Sequence, residues 1–141
     1  MDVKQLIQNF QNVVTKHYMD FNGRVARTQF WQYILVYVVI AVVFAILRLQ
    51  ILSNVLALAL FLPSLGIAIR RLHDIDKSGW LVLLPMIPGV LMGLTLFIFH
   101  PLAMVLGLAA FACGIYLIYL YAQPGTIGAN QYGPEPGTVA A

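Results

Sequence analysis

Four long apolar stretches, none of which contains Asp, Glu, Lys or Arg, constrain this chain more than any other feature. A helix of about 20 apolar residues spans the roughly 30 Å hydrocarbon core of a bilayer, where only helices and closed barrels satisfy their backbone polar groups. The stretches are continuously apolar rather than alternating, which excludes a barrel. We therefore predict an all-α polytopic membrane protein. Its four transmembrane helices are expected at about residues 30–47, 51–69, 80–99 and 102–121.

The composition also excludes a soluble protein. The chain is 61% hydrophobic and only 9% charged, whereas a typical soluble domain carries about 25% charged residues. A nucleic-acid partner is not expected, because no basic stripe stands apart from the apolar bulk. The single Cys113 lies inside the fourth stretch and excludes an intramolecular disulfide or a Cys-based zinc site. We predict a leader helix at 1–20, one transmembrane domain at 21–136 and a flexible tail at 137–141.

The placement of basic residues predicts the orientation. Lys and Arg in short loops stay on the cytoplasmic side of a membrane. With the N-terminus inside, the cytoplasmic segments hold seven of the eight basic residues and the outer turns hold only Arg48. Trp31, Trp80 and Tyr121 approach the same side, where amphipathic rings anchor helices. We therefore predict a multi-pass protein with both termini in the cytoplasm. The polar leader shows no cleavage pattern, so the first span is expected to remain.

Residues 3–17 have the pattern of an amphipathic helix. Apolar side chains recur at i, i+3, i+4 and i+7, and glutamine and asparagine fill the other face. Asp2 is suited to cap the helix and to meet its positive dipole end. Such a helix, placed just before a membrane span, is predicted to lie in the membrane interface. Docking on a cytosolic partner is the alternative.

Prolines and small residues mark two further features of the stretches. Pro63 interrupts the second stretch, and Pro85 and Pro88 interrupt the third. We expect kinks whose freed carbonyls are satisfied by neighbours or water. Broken helices line the substrate site of some transporters, but no charge accompanies these prolines. The fourth stretch has a small-residue face that allows close packing, within the monomer or in a homo-oligomer. Its members are Ala103, Gly107, Ala110 and Gly114.

Three polar motifs flank the stretches, and together they resemble a known family. The first motif is Gly23-Arg24-x-x-Arg27 through Trp31, the second runs from Arg70-Arg71-Leu72-His73-Asp74 to Ser78-Gly79-Trp80, and the third is Asn130-x-Tyr132-Gly133-Pro134-x-Pro136. Over about residues 18–136 this pattern resembles the bacterial domain of unknown function 805 family, the YhaH-like small inner-membrane proteins. The resemblance implies a bacterial inner-membrane location and no particular reaction.

The chain departs from the family pattern at two positions. The family commonly has an acidic residue where this chain has Gln29, and a glycine where it has Asp76. If the acidic group pairs with an arginine of the second motif, Gln29 must replace that ion pair with a weaker hydrogen bond.

The polar residues of the motifs form the candidate site. Arg71, His73 and Asp74 are close enough in sequence to form a hydrogen-bonded knot that orients the loop, and Arg70 and Arg71 also suit a juxtamembrane anchor. Alternatively, the arginines converge on a phosphate or carboxylate head group. The residues predicted to bind a head group or a protein partner are Arg24, Arg27, Arg70, Arg71, His73, Asp74, Asn130 and Tyr132.

Metal binding and catalysis are two further hypotheses for the same loop, and the sequence supports them less. His73, Asp74 and Asp76 lack a recognised ligand spacing, and Ser78 with His73 lacks a nucleophile context. We therefore predict no metal, no cofactor and no enzymatic activity. The predicted function is interaction at the cytoplasmic face, with an anionic phospholipid of the bilayer or a protein partner. The alternatives are an oligomeric transporter or channel, and a membrane enzyme that uses His73 and Asp74.

Overall fold

The computed structural model describes residues 2–137, and its regular elements are all helical. The predicted all-α class is therefore confirmed. Residues 138–141, most of the predicted flexible tail, lie outside this range. The helices are α1 (Val3–Thr15), α2 (Arg27–Ile46), α3 (Gln50–Ala59), α4 (Phe61–Asp74), a short 3-10 helix (Gly79–Leu83), α5 (Met86–Thr95) and α6 (His100–Ala122).

Two helices of the described range, α2 and α6, are long and apolar enough to cross a membrane. The pair α3 and α4 would make a third span, with a bend of 48° between the two helices. The 3-10 helix and α5 together make an apolar helical segment, Gly79–Thr95, that is shorter than the two spanning helices. Outward side chains are strongly exposed, among them Val39 at 53% and Leu108 at 69%, as suits a lipid environment. The four-span arrangement stays a prediction.

The break in the second apolar stretch has a specific cause. Pro63 lies in the first turn of α4 and has no N–H to donate to the carbonyl of Ala59, four residues earlier. The hydroxyl of Tyr18 donates to that carbonyl at 2.6 Å instead. The predicted kink and the predicted satisfaction of its freed carbonyl by a neighbour are both observed. The leader thereby fixes the bend, because Tyr18 comes from outside the spans.

The leader helix packs on the bundle. Asp2 caps α1 as predicted, accepting a hydrogen bond from the backbone N–H of Lys4. Val13 is buried in a core with Phe30 and Tyr33 of α2, and the Phe10 ring stacks on Tyr33 at 5.3 Å. The second half of the apolar face of α1 is therefore used inside the molecule, whereas Val3 and Ile7 in its first half are exposed. Its location in the membrane interface stays a prediction.

The small-residue face of α6 turns toward α5. Ala103 is buried, and a Cβ added to Gly107 would lie 3.0 Å from the sulfur of Met92 on α5. These two positions favour close packing within the monomer. Gly114 has no atom within 4 Å of such a Cβ, and homo-oligomerisation through this face stays a prediction.

Candidate functional site

The three polar motifs meet at one end of the molecule, where α2 begins and where α4 and α6 end. The N–H of Val25 donates to the carbonyl of Arg70 at 3.1 Å, and Arg27 donates to the carbonyl of Ala122 at 3.1 Å. One prediction is corrected here: Arg70–Asp74, expected in a loop, form the last turn of α4. Nothing in this stretch breaks a helix; the chain reverses only at Asp76, whose φ is +59°.

Asp74 is held between two arginines at this end. Arg24 Nε donates to Asp74 Oδ1 at 3.0 Å, and Arg71 Nη1 donates to Asp74 Oδ2 at 2.5 Å. The three side chains are 1%, 0% and 4% exposed, so their charges are removed from water. Breaking such a pair leaves an uncompensated buried charge, which is costly. We call Arg24, Arg71 and Asp74 the Asp74 cluster.

The remaining donors of the two arginines bind the backbone in the last turn of α6 and in the segment that follows it. Arg71 donates through Nε to the carbonyl of Tyr121 at 3.0 Å and through Nη2 to that of Gln123. Arg24 donates to the carbonyls of Thr126 and Gly128 at 2.5 and 2.6 Å. The Asp74 cluster therefore orders the C-terminal segment across the end of the bundle.

The segment passes so close to Asp74 that one position must be glycine. A Cβ on Gly125 would lie 2.2 Å from Asp74 Oδ2 and 2.8 Å from its Cγ. The next residue, Thr126, donates its N–H to the carbonyl of Asp74 at 2.7 Å. The sequence analysis did not identify Gly125, because a glycine in a polar tail looks like an ordinary turn residue.

All three motifs also hold the ring of His73. His73 Nδ1 lies 3.0 Å from the carbonyl oxygen of Gly23, in the first motif. Tyr132 stacks on the imidazole, with centroids 3.9 Å apart and planes 4° from parallel. The Asn130 amide donates to the His73 carbonyl at 2.9 Å. The imidazole is fixed in position and orientation, and its Nδ1 bonds backbone rather than Asp74.

A cavity of about 590 Å³ lies beside this ring, between α4 and the 3-10 helix. Its walls are mostly apolar, and its polar groups come from His73, Ser78 and Tyr132. Leu65, Ile69 and His73 line it from one face of α4, and Trp80 lies at its edge with 79% exposure. The size is in the range of small-molecule sites. We call it the His73 cavity.

The other two predicted arginines lie outside the Asp74 cluster. Arg70 is 5% exposed, yet its nearest carboxylate, Asp20, is 3.9 Å away. Its Nη2 is buried and has no hydrogen-bond partner among the residues that the structure describes. Arg27 is exposed and bonds the carbonyl of Ala122. The eight predicted residues therefore come together spatially, but they divide into different environments.

Asp20 is a residue that the sequence analysis missed. Burial raises the pKa of its carboxyl, but hydrogen bonds from His17 and the N–H of Asn22, with the charge of Arg70, hold that pKa below its ordinary 3.8. The only sequence signal was its position in the polar segment after α1.

Both departures from the family pattern have a local explanation. Gln29 Oε1 accepts a hydrogen bond from the N–H of Ala26 at 3.3 Å, as the third residue of a helix does in a capping box. This role needs only an acceptor, and the expected bond from Gln29 to an arginine is not found among residues 2–137. Asp76 adopts a left-handed φ, where glycine is favoured and Asp is tolerated.

The chain is similar to one protein family and to several inner membrane proteins. The family described as "Protein of unknown function (DUF805)" matches residues 18–134. The inner membrane protein YhaI of Escherichia coli (strain K12) is 31% identical over 129 residues, which cover 87% of this chain and 91% of the relative. The inner membrane protein YhaH of the same strain is 30% identical over 133 residues, covering 87% and 92%. No solved structure matches. The chain therefore belongs to the DUF805 family, and both of these relatives are inner membrane proteins.

Proposed function

We propose that this protein is a non-enzymatic interaction protein of the inner membrane that binds an anionic phospholipid at its cytoplasmic face. One observation carries the proposal: the His73 cavity is walled by apolar side chains and ends at polar groups fixed by all three motifs. An acyl chain suits the apolar walls, and a head group suits the polar end. A bilayer surrounds such a protein with ligands of this chemistry.

The end of the molecule that carries the motifs is proposed to face the cytoplasm. The positive-inside bias supports this orientation, with seven basic residues on that side and Arg48 on the other. The contact between Arg27 and the carbonyl of Ala122 supports placing the start of α2 and the end of α6 on one side. Reporters active only inside or only outside, fused after residues 141 and 100, test it. External activity after residue 141 would reject this topology.

The structure offers less support to the enzyme alternative than to binding. Both carboxylate oxygens of Asp74 are held by Arg24 and Arg71. His73 Nδ1 bonds the carbonyl of Gly23, so His73 and Asp74 do not form a catalytic pair in this arrangement. A transporter or channel retains one supporting observation, the 48° bend between α3 and α4.

Native mass spectrometry in a mild detergent tests lipid binding. Wild-type protein is expected to retain added phosphatidylglycerol, and Ile69→Trp, which fills the cavity beside His73, is expected to lose most of it. Val39→Trp on the outer face of α2 is the matched control, because it adds the same ring outside the cavity. Equal retention by wild type and Ile69→Trp, with both proteins folded, would reject the cavity as the lipid site.

A further inference from the structure

We propose that His73 Nε2 accepts a hydrogen bond from a hydroxyl group on the bound lipid, so that the ligand class is a phospholipid with a hydroxyl-bearing head group. This inference rests on the proposed lipid-binding function and specifies its selectivity. Three observations carry it: the tautomer of His73, the lack of a side chain at Gly79 and the net positive charge of the segments proposed to face the cytoplasm.

The partner of Nδ1 assigns the tautomer of His73. The carbonyl oxygen of Gly23, 3.0 Å from Nδ1, can only accept a hydrogen bond, so Nδ1 must carry a proton. In the neutral imidazole the lone pair then lies on Nε2. No group among residues 2–137 hydrogen-bonds Nε2, while the stacked ring of Tyr132 keeps its direction fixed. Nε2 is therefore an oriented acceptor without a protein donor in that range.

Gly79 packs closely against α4 beside this acceptor. A Cβ at Gly79 would lie 3.2 Å from His73 Nε2 and 2.5 Å from Ile69 Cγ2. Its neighbours Ser78 and Trp80 also line the cavity. The Ser-Gly-Trp part of the second motif thus lies beside the imidazole, and its glycine places no side chain against Nε2.

The chemistry of an acceptor in this place selects the ligand. Phosphate oxygens cannot donate to Nε2, whereas a hydroxyl or an ammonium group can. The segments proposed to face the cytoplasm carry seven basic and five acidic residues, and their net charge of +2 favours an anionic over a cationic head group. A phospholipid that combines a negative phosphate with a hydroxyl meets both conditions.

Two lipids of equal charge test the inference. Phosphatidylglycerol has head-group hydroxyls, and phosphatidylmethanol carries the same phosphate charge without them. In lipid titrations followed by native mass spectrometry, wild type is expected to bind phosphatidylglycerol roughly three- to tenfold more tightly, the effect of one neutral hydrogen bond. His73→Asn retains an amide that can donate to Gly23 and removes Nε2, so the preference should disappear. Gly79→Ala, which crowds Nε2, should have the same effect.

The control is Gly93→Ala in α5, where an added Cβ meets nothing within 4 Å, and it should keep the wild-type preference. The inference is overturned if wild type binds both lipids equally. It is also overturned if His73→Asn keeps the preference for phosphatidylglycerol. If Ile69→Trp still abolishes binding in those cases, the proposed function stands. If wild type retains neither lipid better than Ile69→Trp does, the proposed function itself fails.

Discussion

Arg70 and Arg71 are neighbours in sequence and are both buried, yet they lie in two differently built regions. Arg71 belongs to the Asp74 cluster, where a carboxylate at 2.5 Å and the carbonyls of Tyr121 and Gln123 take up its donors. Arg70 lies on the side of the leader, 3.9 Å from the partly exposed Asp20, with Nη2 unpartnered among the described residues. Burial alone therefore does not show how much a charged residue contributes to the stability of the fold.

The difference follows from the geometry of the partners. A buried guanidinium offsets its desolvation only when good hydrogen bonds satisfy it. Arg71 meets this condition, and we expect the fold to depend on it. Arg70 does not, so its charge should contribute little to stability.

Replacing Arg71 by lysine should lower the stability of the protein strongly. An ammonium group cannot span Asp74 and two separate carbonyls as the planar guanidinium does. We expect a loss of about 3 kcal/mol, in the range for breaking a buried ion pair, seen as a lower melting temperature in detergent. Arg48→Lys, in an exposed turn, is the matched control and should melt like wild type. Equal melting of the two variants would show that the Asp74 cluster needs only charge.

A methyl group at Gly125 should damage the same region without changing any charge. The added Cβ would lie 2.2 Å from Asp74 Oδ2, so the carboxylate or the C-terminal segment must move. We expect a loss of about 1–3 kcal/mol from overpacking. Gly114→Ala is the control, because nothing lies within 4 Å of its added Cβ. Wild-type melting of Gly125→Ala would mean that the segment is not held against Asp74.

Replacing Arg70 by methionine should have a small effect. The change removes a poorly paired buried charge and keeps most of the side-chain volume, so stability should stay within about 1 kcal/mol of wild type or rise. Arg71→Met, measured beside it, should lose roughly 3–5 kcal/mol because it leaves Asp74 without one partner. Similar losses in the two variants would remove the contrast between the regions.

Acid should weaken the ion pair of Arg70 with Asp20 only slightly. The folded-state pKa of Asp20 lies below its ordinary 3.8, so the carboxylate stabilises the fold at higher pH. This contribution is lost as the pH falls below about 4 through the lowered pKa. Because Asp20 is partly exposed, the effect should be under about 1 kcal/mol. Melting curves of wild type and Asp20→Asn should converge with falling pH; a constant difference would contradict the assignment.

Local patterns were sufficient for several features of the fold and the site. Apolar runs predicted where helices lie, an i, i+3, i+4 pattern predicted α1, and Asp2 was identified as its cap. Pro63 predicted a kink, and the order of the motifs predicted the family. Apart from the family, which three widely separated motifs indicate, these features depend on residues close together in sequence, so the sequence contains their causes. The length of α5 was less predictable. Pro85 and Pro88 interrupt the third apolar stretch, but packing decides how many of its residues are helical.

Tertiary structure decided what the polar residues do. The sequence places Arg70, Arg71, His73 and Asp74 close together. It does not show that Arg71 donates to the carbonyl of Gln123 or that His73 bonds the carbonyl of Gly23. Nor does it show that the nearest carboxylate to Arg70 is that of Asp20. These partners lie about 50 residues away along the chain, and the bonds of Arg24 reach Gly128. Which donor meets which acceptor depends on how the helix ends are brought together, and hydrogen bonds fail over an error of about 1 Å. Residue type therefore determined the kinds of interaction, and packing determined their partners.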